Sequence, residues 1–336
     1  MSKLFKPSSW LKSPAVWPLA GLALLGVVNL IYSKNFFSIT QRDGHYVGTV
    51  IDILKNGSPG LILSLGMTLV IATGGIDLSV GSVMAIVGAT AAVMMSHGDV
   101  SLPMVVAACL GVGALCGLVN GILVSWGRIQ PIVATLILMV AGLGIAPLIT
   151  GGNQILIRQD SYNYFGNGFV FGLPVAPIIV AILFLLAWLW LRRSATGLFI
   201  EAAGDNETAS RFAGLATARV KCLVYVVSGL CAAVAGILAT SSIGNADPMN
   251  DGQYSELDAI FAVVVGGTAL SGGRFNFLGT FLAAIMLKTL TVTMYFVGVR
   301  PEVAPKYKAI LIIVVCLLGS ETTRRWLSQF KRRAAT

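Results

Sequence analysis

Residues 65–86 read LGMTLVIATGGIDLSVGSVMAI, and this stretch decides the fold because paired glycines and one carboxylate separate two apolar runs. Gly74 and Gly75 end the first run, and Asp77 precedes the second. In lipid, the backbone can leave a helix only where protein or a water-filled cavity satisfies its polar groups. The stretch therefore predicts a helix that is broken inside a membrane bundle.

The overall composition also indicates a lipid environment. Of the 336 residues, 56% are hydrophobic and 11% are charged, whereas soluble domains carry about 25% charged residues. We predict an all-α polytopic membrane protein with about ten transmembrane helices. It forms one transmembrane domain over residues 1–336, with a membrane core at about 20–320. The apolar runs lie near residues 15–33, 57–73, 79–96, 102–125, 131–150, 171–191, 221–243, 258–270, 277–297 and 309–320.

The formal charge of +9 is unevenly distributed along the chain. If the N-terminus is cytoplasmic, the inside segments hold fifteen of the 23 Lys and Arg residues, the outside segments hold seven, and Lys288 lies within a run. This bias predicts that both termini are cytoplasmic, including a basic tail at 321–336. Because the basic residues are concentrated on the cytoplasmic side, we attribute the positive charge to membrane topology. We therefore expect surrounding membrane lipid and no nucleic-acid partner.

Two further predictions concern the N-terminus and the cysteines. The first apolar run lacks an A-x-A-like cleavage site and exceeds a typical signal-peptide core, so we interpret it as an uncleaved helix. The five cysteines lie in apolar runs without any CxxC pattern, and the two histidines are isolated. This pattern predicts buried thiols, with no disulfide framework, no metal site and no cofactor.

Small residues recur at four-residue spacing in two runs. Gly113, Gly117 and Gly121 form one set, and Ser228, Ala232 and Gly236 form another. Such spacing lets two membrane helices approach closely. We interpret both sets as packing surfaces.

A second glycine pair resembles the first. Residues 74–81 and 266–273 both read GGxxLSxG, and they follow the second and the eighth runs, which are both short. Glycine-interrupted short helices at matching places in two halves point to a transport path. Both copies run in the same direction in our count, however, whereas an inverted repeat requires opposite directions. Either a re-entrant segment changes the count or the match is not a true repeat.

Asp77 has two interpretations that can coexist. It can cap the N-terminus of the third helix, or it can face a polar pathway, as ionisable groups at membrane depth often do. The same choice applies to the other polar candidates, which can bind a sugar or end a helix. The candidate pathway residues are Gly74, Gly75, Asp77, Ser79, Asn120, Gln130, Glu256, Asp258, Gly266 and Gly267.

The longest cytoplasmic loop, 192–220, contains EAAGDNETASRFAGLATARVK from residue 201. Asp205 or Asn206 can cap a short helix there, and Gly214 can end it in a left-handed conformation. A helix of two turns needs something to pack against. A soluble partner protein would provide that surface, and the alternative is a connector helix that packs only on its own chain.

Here the residues resemble a known family. EAAG at 201–204, followed by a glycine-terminated short helix, resembles the permease signature of ATP-binding-cassette importers. Residues 65–86, NGILVSWGRIQPIVATLILMVAG at 120–142 and ELDAIFAVVVGGTALSGGRF at 256–275 are similar to permeases of ribose-type sugar importers. The run at 129–142 and GGRFN at 272–276 look closest to galactofuranose-importer permeases.

The resemblance implies a permease in the bacterial inner membrane, with a core like that of the vitamin-B12 transporter. It would form the pathway for a monosaccharide, with galactofuranose as a candidate, and would pair with itself or with a sister permease. A periplasmic sugar-binding protein would deliver the sugar, and a separate ATPase would receive residues 206–214 as a coupling helix. The residues implied in coupling are Glu201, Ala202, Ala203, Gly204, Asn206, Ala209 and Gly214.

The sequence contains no motif for chemistry of its own. It has neither the phosphate-cradling GxxxxGK[ST] nor GxSxG, so we expect a transport subunit rather than an enzyme and predict no catalytic residue. One alternative is an ion-coupled secondary transporter of a small polar solute, which would use Asp77 for coupling. A membrane-embedded enzyme is a further alternative, and no catalytic cluster supports it.

Overall fold

The computed structural model describes residues 16–96, 100–300 and 302–310. The predicted tenth span, the basic tail and the N-terminal lysines lie largely or wholly outside these ranges. The helices are α1 (Val16–Tyr32), α2 (Thr49–Ala72), α3 (Val80–Ser96), α4 (Leu102–Ser125), α5 (Pro131–Thr150), α6 (Asp160–Asn167), α7 (Val175–Arg193), α8 (Thr196–Asp205), α9 (Glu207–Phe212), α10 (Thr217–Ile243), α11 (Ser255–Val265) and α12 (Phe277–Phe296). Residues 304–310 are also helical.

Three short antiparallel strand pairs accompany the helices. The strands are β1 (Thr40–Arg42), β2 (His45–Val47), β3 (Ile155–Leu156), β4 (Phe169–Val170), β5 (Leu173–Pro174) and β6 (Asn245–Ala246). β1 pairs with β2, β3 with β6, and β4 with β5. The predicted helical membrane architecture is therefore confirmed, with strands confined to the connections.

Six of the described helices are long and apolar enough to cross a membrane, namely α2, α4, α5, α7, α10 and α12. The apolar helices α1 and α3 are shorter, with 17 residues each. A multi-pass protein is therefore shown, while the count of about ten crossings stays a prediction.

The structure corrects the length of the second span. We expected a short helix at 57–73, but α2 has 24 residues, because the polar segment before residue 57 is helical too. Lys55 donates a hydrogen bond to Asn167 of α6 at 2.8 Å, which gives this charged residue a partner. The eighth span is short as predicted, since α11 has 11 residues.

The longest helix, α10, is the centre of the bundle and packs closely on α4. A Cβ atom added to Gly117 would lie 2.9 Å from the Cα atom of Val226, and one added to Gly121 would lie 3.0 Å from the Cα atom of Cys222. On another face of α10, a Cβ atom at Gly236 would lie 2.7 Å from the carbonyl oxygen of Met84 in α3. The predicted packing role of the small residues is confirmed.

The bundle has two different ends. One end carries α8 and α9. The opposite end carries α6 and the three strand pairs, where His45 stacks on Phe169 with ring centroids 4.2 Å apart. We call these the α9 end and the strand end.

Two helices begin in the middle of the bundle. The segment before α3 reaches Ser228, which lies eleven residues into α10 and therefore about 16 Å from its start. The segment before α11 descends from β6 at the strand end until Gly252 touches Gly81, at the start of α3. Because α11 has only 11 residues, it covers about 16 Å, roughly half of a hydrocarbon core of about 30 Å.

Gly117→Leu is expected to destabilise the protein, because the added side chain would overlap the backbone of α10. Overpacking of this kind costs about 1–3 kcal/mol or more. We expect a lower thermal unfolding midpoint in detergent, measured by fluorescence and size-exclusion chromatography. Gly111→Leu is the matched control, because Gly111 lies on the same helix with nothing within 4 Å of an added Cβ atom. Equal midpoints for the two variants would contradict the close α4–α10 contact.

Candidate functional site

The short helix predicted at residues 206–214 is present as α9. Asn206 accepts a hydrogen bond from the amide of Ala209 at 2.9 Å, so Asn206 rather than Asp205 caps the helix. Gly214 has a φ of +86° beyond its C-terminus, as the left-handed ending requires. The predicted helix and both of its ends are confirmed, and its role in coupling stays a prediction.

The chain itself holds α9 in place. The hydroxyl of Ser210 donates to the carbonyl oxygen of Ala202 in α8 at 2.8 Å, and Glu207 forms an ion pair with Lys221 of α10 at 2.6 Å. These contacts are sufficient for a connector helix. The outer face is nevertheless open, because Ala209 is exposed and Phe212 is 89% exposed. Such a face can receive a partner protein.

Two cavities lie near the surface at the α9 end. One, of about 620 Å³, lies between the α4–α5 turn and α9, and its lining includes Trp126, Arg128, Arg211 and Lys221. The other, of about 470 Å³, lies beside α8, and Glu201 and Phe275 are among its lining residues.

The EAAG segment forms the C-terminal part of α8. Ala203 is buried, and Ala202 accepts the bond from Ser210. A Cβ atom at Gly204 would collide with the carbonyl oxygen of Ala72 and lie 2.6 Å from the amide nitrogen of Gly273. Only glycine therefore allows α8 to approach both chain segments so closely.

The two GGxxLSxG segments meet at this point. The amide of Gly273 donates to the carbonyl oxygen of Ala72 at 2.9 Å. A Cβ atom at Gly272 would lie 2.8 Å from the amide nitrogen of Gly74 and 2.9 Å from the carbonyl oxygen of Gly204. We call these five residues, Ala72, Gly74, Gly204, Gly272 and Gly273, the glycine junction. Sequence reasoning did not single out Gly272, although its place in a glycine pair was a visible signal.

The repeated motif does not give a repeated conformation. In the first copy Gly74 has a φ of +76°, whereas in the second copy Gly266 is right-handed and Gly267 has a φ of +93°. The last glycines also differ, because Gly81 lies inside α3 and Gly273 lies in a turn with a φ of +96°. The two copies therefore differ in conformation, but because α11 itself begins in the middle of the bundle, both explanations stay open.

Three glycines of the two pairs, Gly75, Gly266 and Gly267, have different surroundings. Gly75 is buried, and a Cβ atom there would lie 2.5 Å from the phenolic oxygen of Tyr225. Gly266 packs on the start of α12, where a Cβ atom would lie 2.6 Å from the Cα atom of Thr280. Gly267 is exposed.

Asp77 is buried, with 1% of its surface exposed, and is bonded on both carboxylate oxygens. Oδ1 accepts from the amide and the hydroxyl of Ser79 at 3.0 and 2.6 Å, and Oδ2 accepts from the hydroxyl of Ser228 at 2.8 Å. Asn120 donates to Ser79 at 2.8 Å and to Asp77 at 3.5 Å. The carboxylate therefore ties the start of α3 to α4 and α10.

Asp77 accepts a hydrogen bond from the amide of Ser79 but does not itself occupy the N-cap position of α3, and its role in a polar pathway stays a prediction. The first helical bond of α3 runs from the Val83 amide to the Ser79 carbonyl, so Ser79 is the N-cap residue and the helix begins at Val80, three residues after Asp77. Within the described part of the chain, Asp77 lines none of the four cavities named in this section. Near it, Asn120 Oδ1 and Tyr225 Oη are buried without a hydrogen-bond partner among the described residues.

The remaining polar candidates lie apart from one another. Glu256 lines a cavity of about 180 Å³ between α3, α5 and the start of α11. Asp258 faces a second cavity, of about 270 Å³, which Lys288 also lines, and forms an ion pair with Lys308 at 2.7 Å. Gln130 is exposed immediately before α5 and lines neither cavity.

A polar cluster marks the strand end. Gln154 donates to Asp247 at 2.6 Å, and Asn250 donates to the same carboxylate at 2.8 Å. Slight burial raises the pKa of Asp247, but these bonds and those from the amides of Met249 and Asn250 outweigh it and hold the pKa below its usual value. Among the described residues, no group of three or more His, Cys, Asp or Glu side chains could hold a metal ion.

Asp77→Ala is expected to destabilise the protein more than Asp77→Asn. Alanine leaves the buried hydroxyls of Ser79 and Ser228 without their acceptor, at about 1–3 kcal/mol for each unsatisfied group, whereas asparagine keeps one carbonyl acceptor. Thermal unfolding in detergent measures the difference, and Asp52→Ala, at an exposed carboxylate of α2, is the control. An alanine variant as stable as the wild type would contradict the network.

The comparisons with known proteins give a consistent result. The family described as "Branched-chain amino acid transport system / permease component" matches residues 49–318. The galactofuranose transporter permease protein YtfT of Escherichia coli (strain K12) is 45% identical over 320 residues, which cover 94% of this chain and 93% of that protein. No solved structure matches this chain.

Two other relatives match over almost the same extent. The fructose import permease protein FruF of Bifidobacterium longum (strain NCC 2705) is 38% identical over 97% of this chain and 93% of its own length. The ribose import permease protein RbsC of Escherichia coli (strain K12) is 37% identical over 90% of this chain and 92% of its own length.

Proposed function

Because this chain belongs to the family of transport-system permease components, we propose that it is the transmembrane permease subunit of an ATP-binding-cassette importer for a monosaccharide. It is a transport subunit and not an enzyme. The observation that carries the proposal is the match to sugar permeases along nine-tenths or more of the chain.

The relatives favour a sugar over an amino acid as the solute. The family description refers to branched-chain amino acids, but the three full-length relatives are named for galactofuranose, fructose and ribose. Galactofuranose is the leading candidate, because the relative named for it has an identity of 45%, against 38% and 37% for the other two.

Three protein partners follow from this function. A separate ATPase supplies the energy, because the sequence has no phosphate-cradling loop of its own. A periplasmic sugar-binding protein delivers the solute at the strand end. In the most apolar parts of α5 and α7, 22% of the residues are buried. The outward faces of these two helices therefore offer surface to lipid and to a second permease, either identical or a sister chain.

The proposed arrangement places the α9 end in the cytoplasm of a bacterial inner membrane. Arg128 follows α4, Arg192 and Arg193 end α7, and Arg211 lies in α9, so all four are at this end, as the positive-inside rule requires. With α1 and α3 as crossings, α11 as a partial one and the tenth span expected from sequence at 309–320, the chain has about ten crossings. A core like that of the vitamin-B12 transporter agrees with helices that begin in the middle of the bundle.

Topology fusions test this arrangement. We expect a reporter at Thr336 to be active only in its cytoplasmic form and a reporter at Asn163 only in its periplasmic form, because the two positions belong to opposite sides. Paired cytoplasmic and periplasmic reporters at each position measure this. A periplasmic signal at Thr336 would contradict the ten-crossing arrangement.

Coupling in this proposal passes through the glycine junction. The ATPase contacts the open face of α9, and α9 bonds to α8 through Ser210. Gly204 of α8 then contacts Ala72, the last residue of α2, and Gly273. The broken segments 73–79 and 266–276, to which these contacts lead, continue into α3 and α12. Because these contacts are between backbone atoms, a displacement of α8 has no soft side chain to absorb it.

Two variants separate docking from transmission. Phe212→Asp places a charge on the open face of α9 and is expected to reduce ATPase co-purification about tenfold or more, as for a central interface residue. Gly204→Ala is expected to keep ATPase binding but lose sugar uptake, because the methyl group separates α8 from Ala72. The measurements are ATPase co-purification and ATP-dependent uptake into vesicles.

Phe171→Asp is the matched control for the first variant, because Phe171 is 96% exposed at the strand end. It should leave ATPase co-purification unchanged. Normal ATPase binding by Phe212→Asp, with normal uptake by Gly204→Ala, would leave α9 as a connector. Uptake that follows an ion gradient and stops with an ionophore, in the absence of ATP, would favour the ion-coupled alternative.

A further inference from the structure

The cavity beside Glu256 has an unusual lining for a surface between membrane helices. Its volume is about 180 Å³. Gly81, Ser82, Met139 and Leu143 form its wall on α3 and α5, and Met249, Asp251, Gly252, Gln253, Tyr254 and Glu256 form the wall opposite. The second wall combines two carboxylates, one amide and one aromatic ring. Lipid would be a costly neighbour for such groups, so the cavity faces water or a polar ligand.

The backbone brings this polar wall deep into the bundle. Gly252, with a φ of +76°, crosses Gly81 so closely that a Cβ atom on either residue would collide with the other's carbonyl oxygen. The same approach sets a carboxylate oxygen of Glu256 2.6 Å from where a Cβ atom of Gly81 would be. The wall is therefore built at the place where α3 and α11 begin.

Tyr254 is held in a strained conformation at the edge of this wall. Its φ is +62°, although it is not glycine, and 54% of its surface is exposed. Left-handed backbone at a bulky residue carries an energetic cost, and such strain is concentrated at ligand sites. The exposed ring offers an apolar face and a hydroxyl group together.

The chemistry of the lining selects a class of ligand. No Lys or Arg is found among the described residues that line the cavity, while Asp251 and Glu256 are acidic. A phosphorylated sugar would bring its own negative charge against them, and the α-carboxylate of an amino acid would find no cationic partner among these lining residues. A neutral sugar instead donates hydroxyl groups to the carboxylates and the amide, and packs its C–H face on the ring. The volume lies below the roughly 300–1,000 Å³ typical of drug-sized ligands, which suits a single ring.

We infer that this cavity is where a neutral monosaccharide contacts the chain during passage, with Tyr254 under the sugar ring and Asp251, Gln253 and Glu256 accepting or donating hydrogen bonds to its hydroxyl groups. The inference rests on the proposed function and names the residues that distinguish one solute from another. It also assigns solute contact and ATPase coupling to different parts of the molecule, since none of these residues lies at the α9 end.

The test uses the complete transporter, with its ATPase and binding protein, in proteoliposomes. Uptake of labelled D-galactose, D-fructose, D-ribose and L-leucine is measured together with ATP hydrolysis stimulated by the binding protein. Wild-type uptake of at least one sugar and not of leucine supports the proposed function. Uptake of leucine alone, or of none of the four solutes, overturns the proposed function and with it this inference.

The variants then test the cavity with whichever sugar is transported. Tyr254→Asn removes the ring while keeping a residue that tolerates a left-handed backbone. We expect its uptake to fall by about tenfold, which corresponds to the upper range for one aromatic contact, while stimulated ATP hydrolysis stays within about twofold. Tyr254→Phe keeps the ring and should retain most uptake. Glu256→Gln should change the uptake ratio between two of the sugars.

Matched controls come from side chains outside the cavity. Tyr295→Asn and Glu302→Gln alter an exposed tyrosine and an exposed glutamate elsewhere, and both should behave as the wild type. If Tyr254→Asn and Glu256→Gln keep wild-type uptake and selectivity in a transporter that imports sugar, the cavity is not the contact site. If ATP hydrolysis falls in parallel with uptake in both variants, they act on folding or assembly, and the inference is likewise overturned.

Discussion

Backbone that leaves a helix inside the bundle must find its hydrogen-bond partners within the protein, and the rest of this structure depends on that constraint. The segment between α2 and α3 meets it in two ways. Close to the α9 end, the carbonyl oxygen of Ala72 accepts from Gly273. In the middle of the bundle, the Asp77 carboxylate bonds to the amide of Ser79 and to Ser228 of α10. The polar groups between α2 and α3 thus find their partners in the segment between α11 and α12 and in the buried carboxylate of Asp77.

The same constraint explains how helices of unequal length form one body. Because α3 and α11 begin near mid-depth, each needs neighbours that cross the full bundle: α10 packs on α3, and α2 and α12 pack on α11. The small residues along α4 and α10 allow the close approach that replaces hydrophobic attraction in lipid. The polar side chains of Asp77, Ser79 and Thr268 in the broken segments are then buried in protein rather than placed among acyl chains.

Much of this organisation could be predicted from local patterns. Composition indicated a membrane protein, four-residue spacing indicated the packing of α4 on α10, and the residues around Asn206 and Gly214 indicated α9 with both its ends. These features depend on neighbours within one or two turns. The length of α2 was missed because hydropathy breaks at Lys55, whose partner, Asn167, lies far along the chain.

The candidate site was harder to read because its contacts are long-range. Ser228 is 151 positions from Asp77, and nothing in either segment identifies the other as its partner. The two glycine motifs resemble each other, yet sequence could not indicate that they touch each other. Residues 253–256 read QYSE, an ordinary polar connection by composition, and only the folded chain turns it into the wall of a cavity.

The glycine junction has a consequence for how such proteins diversify. It is made of main-chain atoms and the absence of side chains, so it offers no side-chain chemistry for mutation to adjust. Apart from Gly81 and Gly252, the cavity beside Glu256 is lined by side chains, and each of these can be exchanged without moving Gly204. A glycine junction that resists substitution, joined to a cavity that accepts it, would let one scaffold acquire new solutes while it keeps the same ATPase.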